Sequence, residues 1–440
     1  MTGAPPARIA VVGAGMAAAR FAQRYTALGG RGTVTLYGAE PHRPYNRVLL
    51  ADVLTGRYDP DDLTLPMGGA RLRAGDEVMA VDVAAGTLTL ASGRCESWDA
   101  LVLATGANPV LPPLGRLPET GVHSFRGLAD CAALAAEAGH ATRAVVIGGG
   151  VLGVSAARAL ADRPRSGGPR LPVEIVHQAP HLIERHLDEG AAAMLRRGLA
   201  GLGVETYLEN RARAVLGDRR VTGVRLANGH VLDCDLLVLA CGVRPRTGLA
   251  RAAGVTVRDG VVVDDRLAAS VPGVPDAEVY AIGDCAEHRG VVHGLSTPAW
   301  EQAEILAARL SGAEPEAAWP GWLSPYTRLT AGPLAYASLG ELVPGGAGPD
   351  ANTGIGAGSR TEVLRLADAT RGTYRSLRLR EGRLVGGVLY GDLDTVDALT
   401  GAYRRGEPVP EQPLELLIRP ADGSAAAPHH TPTTQGVPST

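Results

Sequence analysis

Hydrophobic positions along the chain fall into short apolar runs, each closed by glycine and followed by a helical repeat. Arg8 to Val12 is such a run; Gly13-Ala14-Gly15-Met16-Ala17-Ala18 follows, and apolar residues then recur at Phe21, Tyr25 and Leu28, the spacing of a buried helix face. This order predicts strand, tight turn, helix. Gly13 permits the turn, Gly15 lets a diphosphate approach the backbone at the helix N-terminus, where free N–H groups and the macrodipole attract anions, and Ala18 takes the place of a third glycine. The next strand, Thr33 to Tyr37, stops before Gly38-Ala39-Glu40, about 22 residues past the loop, where an acid can bind the ribose hydroxyls of an adenosine. The same unit recurs 135 residues later: strand Arg143 to Ile147, a full G-x-G-x-x-G with Gly148, Gly150 and Gly153, then a helical pattern through Val154, Ala157 and Leu160. Two fingerprints in one chain point to two dinucleotide sites.

Further runs complete both units. Leu101 to Ala104 predicts a buried strand ending in the Thr105-Gly106 turn. Val279 to Ile282 ends in Gly283-Asp284, a carboxylate at the edge where doubly wound sheets bind ligands, although alone it would also suit a helix N-cap. Leu236 to Ala240 and the turn at Cys241-Gly242 close the second unit, and Arg163 to Pro172 is a lengthened loop rich in Pro, Gly and Arg. Beyond it, Thr361 to Leu366, Thr373 to Arg380 and Arg383 to Leu389 predict strands, the last two joined at Glu381-Gly382, and Leu393 to Arg404 predicts a helix. The fold class expected is α/β, two doubly wound Rossmann-like units plus a C-terminal α+β domain.

Composition narrows the function classes. At 440 residues, 45% hydrophobic and 20% charged, the chain is too long for one ordinary domain and too apolar for disorder. All 43 basic residues are Arg and the net charge is -3, which leaves no basic excess for nucleic acid or anionic lipid. The longest charge-free apolar stretch, Leu101 to Gly115, contains three prolines and falls short of the roughly 18 residues of a spanning helix, so no membrane helix is expected. Arg8 leads directly into a strand, unlike a secretory signal, and a cytoplasmic location is expected. Cys95, Cys131, Cys234, Cys241 and Cys285 form no C-x-x-C or C-x4-C spacing, so neither a redox dithiol nor a metal cradle is predicted. The tail from Asp422 is polar and Pro/Thr rich, predicts disorder, and leaves His429 and His430 as solvated side chains.

With these motifs in this order, the chain resembles the FAD and NAD(P)H dependent pyridine-nucleotide oxidoreductases of the glutathione reductase type over about residues 8–312. The resemblance implies a discontinuous FAD domain, 1–115 and 245–312, with Gly13, Gly15, Ala18 and Glu40 at the adenosine end, Thr105-Gly106 at the turn and Asp284 at the ribityl chain. It implies an NAD(P)H domain over 116–244 holding Gly148, Gly150, Gly153, Ser155, His177 and Gly242. A C-terminal domain over 320–418 would, as in that superfamily, cover the flavin and build a possible homodimer interface, with a disordered tail at 419–440. Residues 19–94 contain no cysteine, which excludes the disulfide-reducing branches.

The segments Pro44 to Asp52, Glu184 to Val204 and Leu384 to Pro410 are similar to the flavoprotein part of the NAD(P)H nitrite reductase large subunit and extend the likeness to about residue 418. That likeness implies Arg47 beside the isoalloxazine. Asp52 stands where ferredoxin and rubredoxin reductases often carry a Lys, Ser155 where the family has a Glu near the nicotinamide, and His177 where it has an acid after the following strand. NADPH thereby becomes an option, with His177, Arg185 or a loop Arg meeting its 2'-phosphate. No cysteine follows Cys285, so siroheme and an iron-sulfur cluster are expected on a partner. The function implied is electron transfer from NAD(P)H through FAD to an iron-sulfur or siroheme partner in an assimilatory nitrite or nitrate reductase system. A ferredoxin or rubredoxin reductase of another pathway, and a low-turnover flavin-binding sensor or scaffold, are the alternatives.

Overall fold

The structure, a computed structural model, describes residues 6–164, 169–321, 326–331, 334–342, 361–406, 408–409 and 416–417. The expected tail with His429 and His430 lies outside the described residues.

Two five-stranded sheets organise the chain. In the first, the strands run in the order Val279–Ala281, Ala100–Leu103, Arg8–Val12, Thr33–Gly38, Arg71–Ala74, all parallel. In the second the order is Val204–Tyr207, Val173–Val176, Ala144–Ile147, Leu236–Leu239, Val122–Ser124, again parallel. The central strands are continuous apolar runs because helices cover both faces. Register aligns Val12 with Tyr37 and Leu103, and Ile147 with Val176 and Leu239, so the C-terminal ends of each sheet form one edge. Both edges open onto the same cleft.

The two units are stitched together at several points. Val243–Pro245 pairs antiparallel with Ala107–Pro109 across the junction. Tyr45, Leu50, Ala51, Leu54 and Leu63 lie in the first unit's sequence, yet they are buried in one apolar cluster with Leu134, Leu160 and Leu195 of the second. This arm makes the helix Leu50–Thr55 a wall of both units.

A third sheet is antiparallel, in the order Tyr326–Ala331, Leu334–Gly340, Arg383–Tyr390, Thr373–Arg380, Thr361–Asp368. Its first two strands have no counterpart in the sequence reading. One face packs Leu377, Leu379 and Leu389 under the helix Val396–Arg405. That helix starts three residues later than the apolar spacing suggests, because the Asp394 N–H donates to Asp392 Oδ1 at 2.9 Å and turns the chain first. The other face carries Tyr336, Tyr374 and Tyr390 into the second unit's core. There Gly190 of helix Glu189–Gly201 lies so close to the Tyr374 ring that a Cβ would sit 2.5 Å from it, and the Tyr374 hydroxyl donates to Asp188 Oδ2 at 2.9 Å. The sheet is therefore seated on the second unit, and its Thr327, Arg328 and Leu329 close one side of the cleft.

Candidate functional site

The two glycine loops face each other across a cleft of about 1790 Å³, well beyond the roughly 300–1,000 Å³ of a single small-molecule site. Gly13 has φ +114° and a Cβ there would lie 2.1 Å from the Ala104 carbonyl; Gly148 has φ +111° and its Cβ would lie 2.2 Å from the Ala240 carbonyl. These two glycines are demanded by the protein itself. Gly15 and Gly150 are not: their φ values of -90° and -74° suit any residue, and no protein atom lies within 4 Å of a Cβ built on either. Each N-caps its helix, neither helix has a side-chain cap, and both line the cleft. Free amide donors face a space that only a missing Cβ keeps open, which fits a diphosphate at each loop. Gly153 brings its helix onto the loop, since a Cβ would meet the Gly148 carbonyl at 1.8 Å; Ala18, fully buried, occupies the matching place in the first unit.

On the first unit's side, Glu40 Oε2 accepts from the Tyr45 hydroxyl at 2.7 Å and Oε1 pairs with Arg47, whose guanidinium lies 4.7 Å from the Tyr45 ring centre. Burial pushes the Glu40 carboxyl up, but Arg47 and the Tyr45 hydroxyl outweigh it and hold the acid below its ordinary range. Arg47 also donates to the Arg126 carbonyl at 3.2 Å, and Arg126 itself pairs with Asp284 Oδ2 at 2.5 Å. The Thr105 hydroxyl donates to the Arg246 carbonyl at 2.7 Å, and the Gly106 carbonyl accepts from the Arg246 N–H at 2.9 Å, which aims this turn's backbone at the cleft. The structure thus brings Gly13, Gly15, Glu40, Arg47, Thr105, Gly106 and Asp284 to one wall, with Arg47 joined to Glu40.

On the second side, Gly148, Gly150, Ser155, His177 and Gly242 line the cleft. The His177 ring folds over Gly149, with Nδ1 accepting the Gly149 N–H at 3.1 Å and Nε2 at 2.9 Å from Glu184 Oε2. Asp52 does not reach the cleft: it is 6% exposed and pairs at 3.2 Å with Arg158, 2% exposed, on helix Val151–Asp162. Its neighbour Ala51 and, one turn before Arg158, Ser155 form the cleft surface in front of the pair.

Arg126, Arg158 and Glu184 escaped the sequence reading. Arg126 precedes a helix with no motif of its own, and Glu184 lies eight residues beyond its strand. Eleven arginines and five carboxylates line the cleft, a local excess of six positive charges in a chain of net -3, which suits bound diphosphates. Five cysteines are free; Cys241 alone among them borders the cleft, its thiol held against the Ile147 carbonyl at 3.5 Å and pushed up by burial. Among the described residues no group of His, Cys, Asp and Glu could hold a metal ion, and no helix is long and apolar enough to cross a membrane.

The profile of the family described as pyridine nucleotide-disulphide oxidoreductase matches residues 7–304. A Nitrite reductase [NAD(P)H] of Bacillus subtilis (strain 168) is 31% identical over 425 residues, 95% of this chain and 50% of that protein. The assimilatory nitrate reductase electron transfer subunit of the same organism is 31% identical over 392 residues, 88% of this chain and 48% of its own. The chain therefore spans about half the length of these curated relatives. Among solved structures, the ferredoxin reductase for the CYP199A2 system from Rhodopseudomonas palustris superposes with a TM-score of 0.73 at 27% identity, over 88% of this chain and 91% of that one.

Proposed function

The chain belongs to the pyridine nucleotide-disulphide oxidoreductase family, and from that premise we propose that it is an FAD-dependent NAD(P)H oxidoreductase that passes electrons to a separate iron-sulfur or siroheme partner. The observation that carries this reading is the pair of facing glycine loops, each with an amide cradle held open by a glycine the protein itself does not require. The first unit, 1–115 with 245–312, is assigned FAD. Gly15 and the first turn of its helix receive the diphosphate, Glu40 accepts from the adenosine ribose, and Asp284 accepts from the ribityl hydroxyls. Arg47, expected beside the isoalloxazine, is tied to Glu40 and is therefore assigned to the adenosine end instead, and Arg126 beside Asp284 supplies a cation near the diphosphate. The second unit, 116–244, is assigned NAD(P)H through Gly150. Held there, FAD would supply acceptance of a hydride and release of single electrons, which is why a one-electron partner would complete the reaction.

The protein's own contribution would be to hold the two nucleotides in one cleft, onto which both glycine loops open. No thiol is needed for this, in keeping with the absence of cysteine from residues 19–94. The names of the Bacillus relatives support a place in nitrite or nitrate assimilation, and the Rhodopseudomonas structure keeps a ferredoxin reductase role as the second reading.

Purified protein is expected to carry about one FAD, to reduce ferricyanide with NAD(P)H, and to consume nitrite only when a siroheme reductase is added. A variant with all five cysteines replaced should keep rapid flavin reduction. Loss of that rate in one cysteine variant at unchanged FAD content would contradict a thiol-free reaction, and ferredoxin reduction without any nitrite coupling would favour the second reading.

A further inference from the structure

Replacement of the usual strand-end acid by His177 suggests, from sequence, a site open to a 2'-phosphate. The geometry argues otherwise. The Gly149 N–H can only donate, so Nδ1 of His177 must be its unprotonated acceptor, and in the neutral ring the proton then sits on Nε2 and is donated to Glu184. To become a counter-ion, His177 would have to protonate Nδ1 and set two N–H groups against each other at 3.1 Å. The ring is a spacer held by the Gly149 N–H at one end and by Glu184 at the other. A built Cβ at Gly149 would lie 2.7 Å from the ring's Cγ, so the middle residue of the glycine loop must be bare to admit this arrangement.

The far end of that spacer is a carboxylate. Glu184 lines the cleft with a side chain 38% exposed, its Oε2 anchored on His177 and its Oε1 without a hydrogen bond among the described residues. We infer that Glu184, positioned by His177, is the acceptor for the adenosine ribose hydroxyls of the nicotinamide coenzyme, and that the site selects NADH over NADPH. The acid absent from position 177 is thereby supplied from position 184. Two hydroxyls would donate to its oxygens, whereas a 2'-phosphate would bring a dianion against a fixed negative charge. Arg185, Arg211 and Arg213 border the same cleft and are the groups a phosphate would use; among the described residues no hydrogen bond or ion pair joins any of their side chains to the His177–Glu184 pair.

This rests on the assignment of the second glycine loop to the coenzyme, so the test uses fragments that bind without turnover. Equilibrium titration of the holoprotein with ADP-ribose and with 2'-phospho-ADP-ribose should show preference for the former. Glu184→Gln should weaken ADP-ribose about tenfold while leaving the phosphorylated fragment unchanged or tighter, which inverts or erases the ratio. His177→Leu, which removes the anchor of Glu184 and leaves its carboxylate in place, should shrink the same ratio with the fold intact by circular dichroism. Preference of the parent protein for the phosphorylated fragment, abolished in Arg211→Ala/Arg213→Ala, would overturn the inference. So would an unchanged ratio in Glu184→Gln while Gly150→Trp abolishes both fragments, an outcome that leaves the coenzyme site standing. If neither fragment binds the parent protein, the coenzyme assignment itself falls and the inference with it.

Discussion

Replacing Arg158 by Met would strand a carboxylate between the two units. Arg158 and Asp52 are almost fully buried, 3.2 Å apart, on helices Val151–Asp162 and Leu50–Thr55. With an effective dielectric near 20, attraction at that separation is about 5 kcal/mol, and the desolvation of both groups offsets most of it. The intact pair is therefore worth little net, but breaking it is costly, about 3–5 kcal/mol for the group left behind. Asp52→Leu should cost at least as much, because Arg158 Nε has no partner among the described residues even in the intact pair. The double variant Asp52→Leu/Arg158→Met places two apolar side chains beside Leu50, Leu54 and Leu160 and should recover to within about 2 kcal/mol of the parent. Urea unfolding of the holoproteins, followed by far-ultraviolet circular dichroism and by flavin release, gives the double-mutant cycle. Since Ala51 and Ser155 form the cleft surface in front of the pair, each single variant should also lower the flavin reduction rate, and the double variant should restore it. A cost below about 1 kcal/mol for Arg158→Met, or a double variant equal to the sum of the singles, would refute the reasoning and leave apolar packing alone to set the inter-unit geometry.

Three further outcomes are expected. Gly13→Ala should not yield folded protein, because its Cβ would meet the Ala104 carbonyl at 2.1 Å in a left-handed backbone, whereas Gly15→Trp should fold yet be colourless; full flavin in Gly15→Trp would remove FAD from the first loop. Burial lowers the His293 imidazole from 6.5 to about 4, with the nearby His288 adding to the effect. The unfolded chain thus takes up a proton that the native state refuses, so stability is full above about 6.5 and is lost as pH falls toward 4. The urea midpoint of the apoprotein should drop between pH 7 and pH 5, and less so in His293→Asn; parallel pH profiles would count against this.

Both glycine loops, the parallel strands ending at them, and the hairpin at Glu381-Gly382 were legible from sequence. These features depend on neighbours in the chain: a left-handed turn needs glycine, and a strand covered on both faces needs an unbroken apolar run. Residue placement within the cleft was legible for Gly13, Gly15, Glu40, Thr105, Asp284, Gly148 and Gly150 because each stands at the end of such a strand. It was not legible for Asp52, which stands where related reductases often carry a Lys and whose side chain pairs with Arg158, 106 residues away.

What the sequence by itself determined, then, is the local geometry of two glycine loops and the absence of a cysteine pair near either. Only the tertiary structure decided which charges meet: Arg126 with Asp284, 158 residues apart, Asp52 with Arg158, and Glu184 with His177 at the end of a strand. It likewise decided that the C-terminal sheet rests on helix Glu189–Gly201, where a tyrosine ring covers a glycine. Periodicity records which face of an element is buried but not what covers it. Long arginine and glutamate side chains reach across several ångströms to partners whose separation in sequence carries no pattern, so the pairing of charges in the cleft follows from packing rather than from spacing.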